Sequence, residues 1–396
     1  VGTGDVRWIK ERRIAFWEIV RKASSVDKAA RADGTFGSRH QQVSLLHGLQ
    51  PSPAACDDTR DPTLSPTTIL LSHSRPGGMP QVARFAWIAL YWNVAVVLWG
   101  AYVRVTGSGA GCGNSWPLCD GDVVGASVNE HTIVELTHRI TSVISLLLVT
   151  GLVVWCWRVT KKGEWARYSA FLAAVLLANE ALLGAALVLL KHVGNDHSAG
   201  RILFFCLHLG NTLLLLATLS LAANWLANGS SSFNLIGKWR EVSSVGLGLL
   251  ATMATGITGA LAALADTLFP ATSLASSLTQ DFRSRTHVLL RVRLLHPAVA
   301  TVAACYVLRV ILKRSTGRSR LSRSALALII LLFVQVGIGM TNVLLLAPVW
   351  VQIAHLFVAD AFWIFLVLAS ADLVLEPAVT RPACSLDGVV KESHKR

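Results

Sequence analysis

GAYVRVTGSGAGCGNSWPLCDGDVVGASVNEHTIVELTHRI, residues 100–140, sets a polar, glycine-rich loop with two cysteines between two apolar segments. The second segment carries Glu135 and His138, three residues apart, so a helix holding them presents both side chains from one face. A carboxylate beside an imidazole is costly inside a bilayer, and where such groups occur there they usually mark a site. The stretch reads as two membrane helices joined by an outer loop over a polar site.

Composition extends that pattern to the rest of the chain. Its 396 residues are 53% hydrophobic and only 15% charged, with a mean hydropathy of +0.52, which excludes an ordinary soluble domain. From Met79 onward, eight apolar segments approach the roughly 20 residues a helix needs to cross a bilayer. They cover 85–103, 132–157, 167–190, 202–226, 242–265, 287–312, 324–346 and 350–372. The formal charge is +13, and the basic residues gather in alternate connections. Arg158, Lys161, Lys162 and Arg167 follow the second segment, Lys238 and Arg240 the fourth, and Lys313, Arg314, Arg318, Arg320 and Arg323 the sixth. That distribution matches the positive-inside rule better than a nucleic-acid surface. Both termini are therefore expected in the cytoplasm and the cysteine loop outside, with Arg283 and Arg285 as exceptions.

The expected fold class is an all-α integral membrane protein, with eight transmembrane helices arranged as two pseudo-symmetric four-helix bundles. The N-terminal half spans 79–226, the C-terminal half 242–375, and a cytoplasmic tail 376–396. Residues 1–78 are polar and end in a Ser/Thr/Pro-rich tract, so they are expected to be a disordered or spurious extension. The two halves follow from the histidines. His138, His208, His296 and His355 fall on the second, fourth, sixth and eighth segments, each in the first two turns of a helix entering from outside. NEALLGAALVLL at 179–190 also matches VQVGIGMTNVLL at 334–345, and LHLGNTLLLLATLSLA matches AHLFVADAFWIFLVLA.

A single membrane histidine is more often a hydrogen-bonded interior residue than a ligand. Four at matching depth point instead to axial pairs, and two imidazoles facing across a bundle suit a six-coordinate heme better than zinc or copper. Two bis-histidine heme pockets are expected, one per half. Glu135 stands three residues before His138, whereas Arg293 stands three before His296, so one pocket has an acid and the other does not. The plainer alternative for Glu135 is a structural acid paired with Arg104 or Arg139. Glu180 and Asp360 are expected to hydrogen-bond within the bundle or to a ligating histidine. Arg104, Arg139 and Arg201 lie near outer helix ends, where they could meet carboxylates or lipid headgroups. Cys112 and Cys119, on an outward loop, are expected to pair.

The chain from about 85 to 375 resembles the heme A synthase family. The likeness rests on VRVTGSGAGC with PLC after it, VELTHRI, LHLGNT, TGALAALADTLFP, LLHPAVA and NVLLLAPVWVQIAHLFVAD. It implies an oxidoreductase that converts a ring methyl of heme O to the formyl of heme A for terminal oxidase assembly, acting on a CH group with water as oxygen source. It further implies heme b held by His296 and His355, substrate heme between His138 and His208, and Glu135 as catalytic acid; Arg104 and Arg139, at outer helix ends where heme propionates would project, are the further cofactor-binding candidates. Cys112 and Cys119 match the family's outer-loop pair. The chain departs from the family at Glu180, where an uncharged polar residue is expected, and in lacking a second cysteine pair. The partners implied are heme O synthase, oxidase assembly factors and the lipid bilayer of a bacterial-type cell membrane, with homo-oligomerisation open and no nucleic acid. The competing classes are a non-catalytic diheme electron carrier and a heme-free transporter.

Overall fold

The computed structural model describes residues 80–119, 129–229, 239–282, 287–315 and 322–374. The expected extension at 1–78, the tail at 376–396, and Arg283 and Arg285 lie outside these residues. The regular elements described are α1 (Gln81–Val105), α2 (Glu130–Val159), α3 (Trp165–Leu189), α4 (Ala199–Asn228), α5 (Trp239–Leu268), α6 (Leu274–Asp281), α7 (Val288–Ser315), α8 (Arg323–Leu344) and α9 (Val349–Val374). All but α6 are long and apolar enough to cross a bilayer. They coincide with the eight expected segments.

Local chemistry sets the helix starts. Asn129 accepts from the Thr132 N–H, Ser198 from the Arg201 N–H and Ser322 from the Ala325 N–H, each supplying an acceptor to a first-turn N–H that has no partner within the helix. Helices α3 and α8 end alike. At the end of α3, Lys191 takes a left-handed φ of 60° while the His192 N–H donates to the Leu187 carbonyl; at α8, Leu346 takes 59° while the Ala347 N–H donates to Asn342. These closures fall at matching positions of the two aligned segments, and both capture carbonyls the helix leaves unpaired.

Helices α1 to α4 pack on their neighbours in chain order and α1 closes on α4. The largest apolar core lies among these four and takes in Trp363, Ile364 and Val367 from α9. In the second group α5 packs on α7, α8 on α9, and α9 on α5, around a smaller core that includes Val307, Leu328 and Phe362. The two groups meet where α4 contacts α5 and α9, and where α1 contacts α9. There the Trp363 indole N–H donates to the Leu213 carbonyl at 2.7 Å. Outward faces expose large apolar side chains such as Leu147, Val302 and Met340, a surface suited to lipid rather than water.

Helix α6 is the element the hydrophobic pattern does not announce. It is short, with a polar sequence (LASSLTQD), and Ser273 and Ser276 form a reciprocal capping box at its start. Arg293 of α7 holds its far end through Asp281.

Candidate functional site

Each of the four histidines rests against a glycine on the preceding long helix. A Cβ added at Gly100 would stand 3.0 Å from His138 Cε1, at Gly259 2.9 Å from His296 Cε1, at Gly339 3.0 Å from His355 Cε1, and at Gly184 3.7 Å from His208 Cε1. The bare glycine backbone lets the Cε1 corner of each ring come close to its neighbouring helix, space that a methyl group would close at three of the four sites. His138 and His208 lie on α2 and α4 of the first helix group, and His296 and His355 on α7 and α9 of the second. Nδ1 of His138, His208 and His355 is buried without a hydrogen bond. Among the described residues no group of three or more His, Cys, Asp or Glu is placed to hold a metal ion. One imidazole from each of two helices could instead supply an axial ligand to a planar metal macrocycle.

Glu135 is 4% exposed. Its Oε2 accepts the Cys112 N–H at 2.9 Å, and its Oε1 pairs with the Arg139 guanidinium at 2.6 Å. Arg139 also donates to the carbonyls of Ser115, Pro117 and Leu118. Cys112 and Cys119 are disulfide-bonded, so a closed loop is fastened to α2 through this acid and base. The loop also lies very close to the helix, since a Cβ at Gly111 would fall 2.3 Å from the His131 carbonyl oxygen. Thr132 adds a hydroxyl donation to the Gly111 carbonyl at 2.8 Å. That approach accounts for the glycine-rich composition ahead of Cys112.

The other arginines are engaged by protein groups. Arg104 donates through Nη1 to the Ala263 carbonyl and Thr267 Oγ1, both at 2.7 Å, and through Nη2 to Gln352 Oε1 at 3.0 Å. It therefore ties α1 to α5 and α9. Arg201 donates to the carbonyls of Gly194 and Asp196 in the connection before α4. In that connection the Asp196 carboxyl is desolvated, which alone would raise its pKa, yet hydrogen bonds from Ser198 and His192 hold it at about 2. Arg293 is occupied by Asp266 and Asp281. His131 contacts Ser108 Oγ, and His287 contacts the His197 carbonyl 90 residues away, both near helix ends.

Glu180 of α3 receives hydrogen bonds from Asn211 and Thr212 of α4, and its Oε1 is 3.3 Å from His208 Nδ1. The angle there is outside hydrogen-bond geometry. In the other group, Gln335 Nε2 lies 3.3 Å from His355 Nε2, and Thr258 Oγ1 lies 3.3 Å from His296 Nδ1.

The glycine seats were not among the residues singled out from sequence. A signal existed, because each long helix before a histidine helix carries a glycine in its C-terminal half, but a membrane glycine alone has too many ordinary explanations.

Comparison with known proteins bears on the same region. The model of a family described as "Cytochrome oxidase assembly protein" (COX15-CtaA) matches residues 83–367. A Thermus thermophilus protein named protoheme IX farnesyltransferase is 42% identical over 298 residues, 74% of this chain and 48% of that protein. Heme A synthases of Bacillus mycoides and Bacillus cereus are each 43% identical over 105 residues, 26% of this chain and 34% of theirs. The chain spans about half the length of the Thermus relative and about a third of the Bacillus ones.

Proposed function

Because the chain belongs to the COX15-CtaA family of cytochrome oxidase assembly proteins, we propose that it is a heme A synthase, oxidising a ring methyl of heme O to the formyl of heme A. The observation that carries this reading is the set of four glycine-seated imidazoles, two in each helix group. Their buried nitrogens and bare glycine backs fit a flat porphyrin with an iron to ligate. His138 and His208 hold the substrate heme, and His296 and His355 hold a resident heme b. Held there, heme b would supply a one-electron redox centre.

Glu135 is the residue that separates the two pockets. Oxidation of the methyl develops positive charge at that carbon and consumes water as the source of oxygen. A carboxylate fixed by Arg139 and the Cys112 N–H stabilises that charge, or takes the proton of the attacking water, without reorganising. The disulfide loop keeps the carboxylate in place and covers it from outside. Arg293, bound to two aspartates, offers the second pocket no such acid. Both termini lie in the cytoplasm, since the cationic Arg158 to Arg167 connection and the disulfide loop fall on opposite sides. The substrate comes from an enzyme that farnesylates protoheme, the activity for which the Thermus relative is named.

The test is the heme content of the purified protein, extracted and resolved by chromatography and mass. Heme b together with heme O or heme A is the expected result. Heme b alone would make the chain a diheme electron carrier, and no heme at all would make it a transporter.

A further inference from the structure

Helix α6 is amphipathic in the reverse sense. Its polar side chains Ser276, Ser277, Gln280 and Asp281 share one face at helical spacing, and that face is the buried or half-buried one. Arg293 of α7 fastens it, donating to the Asp281 carboxylate and to the Ser277 carbonyl. The opposite face carries Leu274, Leu278 and Phe282, about one per turn, which are 42%, 53% and 74% exposed. A surface helix of a water-soluble domain turns its apolar stripe inward. An exposed apolar face of this kind marks a surface that another apolar phase covers.

The depth of α6 follows from its tether. Helix α7 has 28 residues and is about 42 Å long, close to the roughly 40–45 Å of a bilayer with its headgroups. Arg293 stands about 7–8 Å in from the start of α7, near the level where headgroups give way to hydrocarbon. Because Arg293 grips Asp281, the last turn of α6 lies beside α7 at that level rather than above the membrane. Lipid reaches the same level, since Val288, Leu295 and Val302, seven residues apart on α7, are each more than half exposed and carry the lipid-facing stripe up to the first turn.

We propose that α6 is an interfacial helix that docks its Leu274, Leu278 and Phe282 face into the bilayer leaflet on the side of the disulfide loop. The apolar side chains leave water for the acyl boundary, while the polar groups, costly at that depth, are paired inside the protein. The leaflet and the Arg293 ion pair hold the α5–α7 connection from opposite sides.

The experiment uses the full chain in vesicles of phosphatidylcholine and phosphatidylglycerol, with Cys56, Cys156, Cys206, Cys305 and Cys384 replaced by alanine and the Cys112–Cys119 disulfide intact. A nitroxide is attached at Leu278→Cys or Phe282→Cys, and power saturation reads its contact with dissolved oxygen, which enriches in lipid, and with a nickel chelate, which stays in water. Val302→Cys is the lipid reference, and Asn195→Cys, exposed in the α3–α4 connection, is the water reference. Both α6 labels should show an oxygen-to-nickel ratio several-fold above that at Asn195, at a depth of about 5–10 Å from the headgroup surface. A ratio equal to that at Asn195 would put this face in water. Labels shielded from both reagents would put it under protein, such as a second copy of the chain, and either result overturns the proposal.

Discussion

Glu135 and the glycine seats place opposite demands on substitution. Glu135→Gln preserves size and most hydrogen bonding but removes the charge that pairs with Arg139. Turnover of heme O should fall about 10²- to 10⁴-fold, the range for a positioned acid or base, with heme b retained and heme O or its hydroxylated intermediate accumulating. Near-normal heme A per mole of folded protein would leave Glu135 a fastening for the loop and nothing more. Gly259→Ala removes no polar group, yet its new methyl would stand 2.9 Å from His296 Cε1. Overpacking of this kind costs about 1–3 kcal/mol, and roughly 1.4 kcal/mol is a tenfold change in binding. Retained heme b should therefore drop about tenfold or more, whereas Gly246→Ala on the same helix, with open space around it, should change nothing. The histidines and Glu135 stand out in the sequence as candidates because charge and imidazole are conspicuous in apolar segments. The sequence narrowed the partner of Glu135 to Arg104 or Arg139, and the structure pairs it with Arg139; the Cys112 N–H, its other partner, had no signal in the chain order.

Helices and loops were legible in proportion to their hydrophobic length. The eight long helices announce themselves because a bilayer demands long apolar runs, while α6, polar and short, is held by its capping box and by Arg293 rather than by burial. The same arginine explains an asymmetry visible in the sequence: where the first group places Glu135, the second places a cation committed to Asp266 and Asp281. The loop between α1 and α2 has a mechanical role that can be tested. Cys112 donates its N–H to Glu135 and is bonded to Cys119, so a Cys112→Ser/Cys119→Ser double variant should free the backbone that orients the carboxylate. Heme A formation is expected to fall about tenfold with heme b undisturbed, the cost of about one charge-assisted hydrogen bond. Wild-type thiols should resist alkylation until reductant is added. A variant that matches the wild type in turnover would separate the loop from catalysis.

Across the whole molecule the two helix groups are joined by apolar contact, by Trp363 on the Leu213 carbonyl, and by the hydrogen bonds of Arg104. The sequence made Arg104 a candidate for a cofactor carboxylate because it sits at an outer helix end. In the structure its guanidinium spans from α1 to Ala263 and Thr267 on α5 and to Gln352 on α9, a linkage no local pattern could reveal because its partners are more than 150 residues away. The two roles make different predictions. A lysine keeps the charge but, as a compact point donor, cannot reproduce the planar fork. If Arg104 fastens the groups together, Arg104→Lys should lower the apparent melting temperature in detergent. A cycle with Gln352→Ala should then show a coupling of about 0.5–3 kcal/mol, the range for residues sharing one network. If Arg104 instead holds a heme propionate, Arg104→Lys should weaken heme O binding at unchanged melting temperature, and the effects of the two substitutions should simply add. Measured coupling between Arg104 and Gln352, with heme O affinity altered less than about twofold, would place the arginine in the joint between the groups.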